Sequence, residues 1–137
     1  MMSNTLQIEG IDIKSALGRV AGNEELLRKL LRRFVETQSD AVTRIKTALA
    51  INNLETAIIE SHTIKGLAGS FGADTLFHDA ETLEFLLKKP DRYRRGQLDG
   101  VLIIFEIEFK QIMQKIVYIS VLLHRQTVHS QGFGGIG

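Results

Sequence analysis

LETAIIESHTIKGLAGSF, residues 54–71, decides how this chain is read. At about 100° per residue, Leu54, Ala57, Ser61, Ile64, Ala68 and Phe71 fall on one side, at alternating steps of three and four. That is the buried stripe of a helix. Asn52 and Asn53 mark the turn before it, and Gly72 ends it. His62 points roughly opposite the centre of the stripe, toward solvent. Glu55, Ile58, Ile59, Lys65, Gly66 and Gly69 fall beside it on the same outer face.

The same spacing extends outward in both directions. Downstream, Leu76, Ala80, Leu83 and Leu87 line one side of a helix from about Ala73 to Lys88. Pro90 to Gly96 is a charged connection, and a long final helix is predicted from about Gln97 to Leu123. Upstream, Asn23 with Glu24 and Glu25 starts a helix, its acids placed where the helix dipole favours them. Leu26, Leu27, Leu30, Leu31 and Phe34 recur along it, and Val42, Ile45 and Leu49 extend the pattern. The polar run Thr37 to Asp40 reads equally as a kink or as a join. Asp12 can cap a further short helix through about Val20. The expectation is an all-α protein: an antiparallel up-and-down four-helix bundle with a short extra N-terminal helix, since short connections make neighbours antiparallel. Residues 1–10 read as an arm, 11–123 as the domain, and 124–137, with four glycines and no apolar period, as a flexible tail.

Composition excludes several classes. The 137 residues suit one domain, and 44% apolar with 24% charged residues describes an ordinary globular chain. No cysteine is present, so disulfides and thiolate metal sites are out. A formal charge of +1 gives no global attraction for nucleic acid or membrane. Residues 101–123 are apolar enough to suggest a membrane span. Glu106, Glu108, Lys110, Gln111, Gln114 and Lys115 interrupt them, however, and charge at mid-bilayer is costly. A core helix fits better, and no direct membrane insertion is expected.

The outer face around His62 carries the candidate chemistry. Gly66 and Gly69 each cost about 1 kcal/mol relative to alanine inside a helix, yet they clear a shelf beside the imidazole. Lys65 is a surface neighbour of His62 at three residues' distance, and its ammonium would attract phosphoryl oxygens. Ile58 and Ile59 add apolar area suited to docking a partner. A neutral imidazole is nucleophilic and can attack phosphorus. Phosphoryl transfer asks mainly for alignment and charge stabilisation. No Gly-rich nucleotide loop and no carboxylate cluster for magnesium is evident, so the parts of a kinase are missing. An ordinary surface histidine and lysine, with glycines at a fraying helix end, fits the same pattern.

His62-Thr63-Ile64-Lys65-Gly66-Leu67-Ala68-Gly69-Ser70-Phe71-Gly72-Ala73 resembles the signature of histidine phosphotransfer (HPt) domains: a His, Lys-Gly three residues on, then Gly-Ala. Leu76, Ala80, Leu83 and Glu84 fit the next helix of that family. Ile11-Asp12, Arg19, Gly22-Asn23, Leu27, Leu30-Leu31 and Phe34 resemble the opening of HPt domains fused to bacterial hybrid sensor kinases. The resemblance spans about residues 8–120. It implies that His62 is the phosphoacceptor, Lys65 steadies the phosphate and Gly66 gives room. It further implies response regulator receiver domains as donor and acceptor, bringing the magnesium. It implies a cytoplasmic relay intermediate with no catalysis of its own, fused in some relatives to a sensor kinase.

Three other readings are weaker. A bundle could keep this fold and bind partners with His62 unused. Metal binding through His62, His78, His124 or His129 lacks the i, i+4 pairing common in zinc sites, so no metal site is expected. Nucleic-acid binding through Arg28, Lys29, Arg32, Arg33 and Arg92 to Arg95 is disfavoured because acidic residues balance the whole; no such partner is expected.

Overall fold

Short polar side chains set the starts of three helices. Asp12 accepts from the Ser15 amide at 2.9 Å, Asn23 from the Leu26 amide at 3.0 Å, and Asn53 from the Thr56 amide at 3.1 Å. Each satisfies an amide that has no partner within its own helix. The computed structural model describes residues 9–136, with side chains through 119 and at 121. Its helices are α1 (Ile13–Arg19), α2 (Glu24–Gln38), α3 (Ala41–Ala50), α4 (Leu54–Ser70), α5 (Asp74–Leu87), α6 (Asp91–Arg94) and α7 (Leu98–Ile136). None of the described helices is long and apolar enough to cross a membrane.

The Thr37–Asp40 run is a kink. Ser39 keeps helical torsions, and Asp40, at φ −99° and ψ 11°, leaves them. Thr37 Oγ1 donates to the Arg33 carbonyl at 2.8 Å, and Ser39 Oγ donates to the Val35 carbonyl. α2 and α3 therefore form one broken rod. α3 lies against α4, α4 against α5, α5 against α7, and α7 against α2. The result is the expected four-cornered bundle, with α4 and α7 at opposite corners.

The interior is filled by one face of each helix except α6, which buries no residue. Leu27, Leu31, Phe34, Ile45, Ile64, Leu76, Leu83, Phe105 and Ile116 are all buried. Phe34 packs edge-on to Phe71, with ring centres 5.5 Å apart, and tilted against Phe109 at 6.4 Å. Arg44 of α3 clamps Glu60 of α4 through two contacts of 2.9 and 3.2 Å and also donates to the Thr37 carbonyl at 3.2 Å. One side chain thus holds both the kink and the α3–α4 seam.

The turn between α4 and α5 depends on Gly72. Its φ of +69° is a left-handed conformation that suits glycine. A Cβ there would stand 2.8 Å from the Asp12 Cβ and 2.9 Å from the Asp12 carbonyl oxygen. The Asp12 amide donates to the Gly72 carbonyl at 3.0 Å, so the entry to α1 is pinned against this turn.

Two stretches differ from expectation. Asp91–Arg94 forms a short helix, not separately expected, inside the charged connection, where Asp91 pairs with Arg94 at 3.1 Å and also with Arg95. α7 does not end near Leu123. Its backbone continues helically to Ile136, through the segment read as a tail. Extending a helix already anchored by Phe105, Phe109, Ile112, Ile116 and Ile119 avoids a new nucleation cost. Of the expected arm, residues 1–8 lie outside the described residues; the Glu9 carbonyl accepts from Lys115 of α7 at 2.6 Å.

Candidate functional site

α4 presents His62 as the wheel indicates. Ala57, Ser61, Ile64 and Ala68 are buried, while the His62 side chain is 66% exposed. The short Phe71–Ala73 turn folds α5 back along α4. That brings Glu84 of α5 beneath the imidazole, with its side chain only 6% exposed. His62 Nδ1 donates to Glu84 Oε2 at 3.0 Å. Lys88, one turn further along α5, donates to the same oxygen at 2.9 Å. The Lys65 ammonium stands 2.7 Å from Glu84 Oε1, an ion pair to the carboxylate's other oxygen.

This is a small charge network built on a nearly buried carboxylate. Burial alone would raise the Glu84 pKa. Lys65, Lys88 and His62 outweigh that and hold it at about 2. Glu84 is therefore ionised at neutral pH and can only accept. The nitrogen facing it must carry the proton, so a neutral ring bears its lone pair on Nε2. Nε2 has no polar partner among the described residues, and the ring is mostly exposed. The geometry offers an oriented, outward nucleophile.

Two cations already stand at the carboxylate that His62 touches. Lys65 and Lys88 are held there at 2.7 and 2.9 Å from its two oxygens, so both cations neighbour the imidazole. Charge-assisted contacts to phosphoryl oxygens are about twice as strong as neutral ones. When Nε2 takes a substituent the ring becomes cationic, and the ionised Glu84 at Nδ1 stabilises that charge.

The other sequence-derived candidates divide. Gly66 is exposed, and a Cβ built there meets nothing within 4 Å, so the helix surface is open at this position. Ile59 is exposed at 56% and remains available to a partner. Ile58 is half-buried and packs against the core, so most of it is not docking surface. It lies on the flank of the buried stripe. Gly69 faces Phe77, whose ring would lie 3.4 Å from an added Cβ, so its open side is partly covered by α5.

Glu84 and Lys88 carry roles the sequence reading did not assign. A usable signal existed: Glu84 adjoins Leu83 and Leu87 on the apolar side of α5, where an unpaired carboxylate is costly. Lys88 sits four residues on, at ion-pairing distance.

Elsewhere, His78 is exposed, its Nδ1 3.8 Å from Glu81. No group of three or more metal-ligating side chains occurs among the described residues. The side chains of His124 and His129 lie outside the described residues. In the basic run on α2, exposed Lys29 stands 4.0 Å from Glu25, and Arg28, whose side chain is only 16% exposed, stands 3.8 Å from the same carboxylate.

Comparison with known proteins bears directly on this arrangement. The family model described as Hpt domain matches residues 29–117, which include His62, Lys65, Glu84 and Lys88. A solved structure, the HPT domain of an Hpt sensor hybrid histidine kinase from Shewanella, shares the fold. It is 17% identical, with a TM-score of 0.55, covering 88% of this chain and 95% of that chain. No curated protein matches the chain.

Proposed function

The chain belongs to the Hpt domain family, the phosphotransfer modules of two-component signalling, and from that premise we propose that it is a relay intermediate carrying its phosphoryl group on His62. The observation that carries this reading is the exposed imidazole whose Nδ1 is bonded to a buried, ionised carboxylate.

On this reading, a response regulator receiver domain phosphorylated on aspartate docks over Ile59 and Gly66. His62 Nε2 attacks phosphorus, the aspartyl oxygen–phosphorus bond breaks, and the receiver's aspartate leaves as a carboxylate. Lys65 and Lys88 contact the phosphoryl oxygens, and Glu84 holds the proton on Nδ1 throughout. A second receiver takes the group by the reverse sequence. The magnesium comes with the receiver, and the exchange takes place in the cytoplasm. Fusion to a hybrid sensor kinase fits the same role.

Incubating the protein with a receiver phosphorylated on its aspartate tests this. Phosphate should appear on the chain in an acid-labile, base-stable form and be missing from His62→Gln. A chain that binds the receiver but takes no phosphate would be a binding-only bundle.

A further inference from the structure

α7 buries one face against α2 and α5 and leaves a second apolar stripe on the opposite side. Ile103 is 56% exposed, Ile107 54%, Val117 41% and Val121 50%. Between them on the same stripe stand Lys110 and Gln114, both exposed. The six follow one another at steps of 4, 3, 4, 3 and 4 residues. This is the spacing of a coiled-coil seam, on the face that the bundle does not use.

The stripe is also a palindrome. About a centre at Ile112, Ile103 mirrors Val121, Ile107 mirrors Val117, and Lys110 mirrors Gln114. A two-fold contact must be self-complementary, and antiparallel pairing of this stripe with itself satisfies that. Each apolar residue meets an apolar residue, and each Lys110 ammonium meets the amide oxygen of a Gln114. Parallel pairing would set Lys110 against Lys110, a like-charge contact at the seam. Lys110 is already paired with Glu106 on its own helix at 3.0 Å, so it enters the seam with its charge partly balanced.

We infer that α7 joins two copies of this chain as an antiparallel two-fold dimer through this stripe. The contact spans eighteen residue steps, about 27 Å at about 1.5 Å each, by about 10 Å of helix width. That is roughly 300 Å² per copy, well under the ~800 Å² of a standard interface, so the dimer is weak. α4 lies at the opposite corner of the bundle, so His62 stays open on both copies. The inference does not rest on the phosphotransfer reading.

Sedimentation velocity of the full chain from about 10 μM to about 1 mM covers the range of weak association and should move from monomer to dimer. Ile107→Lys should hold the protein monomeric across that range with unchanged helical circular dichroism. The chain has no cysteine, so introduced thiols report the geometry. The double variant Ile103→Cys with Val121→Cys should give a disulfide-linked dimer on mild oxidation, whereas each single variant should not. A chain still monomeric at the top of the range overturns the inference. So does Ile103→Cys cross-linking alone, which would mean parallel pairing, or a dimer that Ile107→Lys leaves intact.

Discussion

Glu84→Gln removes one charge from the site and keeps its shape. An unfolded glutamate titrates at about 4.3. In the folded protein burial works to raise that value, and Lys65, Lys88 and His62 together pull it down to about 2. Because the folded value is depressed, the unfolded chain binds more protons between the two. Stability from this group is then fully present above about pH 5 and lost as pH falls through about 2. The depression is worth at most about 3 kcal/mol. Lys88 and His62 are 57% and 66% exposed, so water screens their share. Halving the figure gives about 1.5 kcal/mol. About half of that disappears between pH 5 and pH 3, a window below ordinary histidine titration. Urea unfolding at both pH values should therefore show the parent losing about 0.75 kcal/mol more than Glu84→Gln. That is a difference of about 0.5 M between their midpoint shifts. The slopes carry the test rather than the values at neutral pH, because a neutral amide also relieves the burial of a charge. Identical slopes for the two proteins would refute the network described around Glu84.

Lys65→Ala should slow phosphotransfer from a receiver about tenfold, the worth of one charge-assisted contact, with circular dichroism unchanged; an equal rate would remove its role. Gly66→Leu should fold at least as stably as the parent, since its Cβ enters open space and helix propensity rises by about 1 kcal/mol at most. It should nevertheless weaken receiver binding about tenfold or more, read by calorimetry as loss of about 1.4 kcal/mol. Gly72→Ala meets both an unfavourable φ of +69° and Asp12 atoms within 3 Å. It should lower the melting temperature by about 10 °C, from a cost of about 3 kcal/mol.

What could be read from the sequence was what a single helix determines. The stripe from Leu54 to Phe71 places His62 outward and Gly66 beside it, because a helix wheel needs no knowledge of neighbouring helices. The caps Asp12 and Asn23 are equally local, each a side chain three residues from the amide it satisfies. Glu84 escaped assignment because its meaning comes from His62, 22 residues away, across a packed seam. The half-burial of Ile58 was not legible for a related reason: at the edge of a stripe, burial depends on the helices alongside. The choice between kink and join at Ser39–Asp40 turned on the torsions of the single residue Asp40, which residue type alone does not determine. The length of α7 reflects support from its packed half more than the propensity of its glycine-containing end.

The claim that His62 is an oriented nucleophile is tested most directly by ³¹P NMR of the protein after transfer from a phosphorylated receiver. With the Nδ1 proton held by Glu84, the spectrum should show a single phosphohistidine carrying its phosphoryl group on Nε2. A phosphoryl group on Nδ1, or one that forms equally well in His62→Gln, would contradict the account.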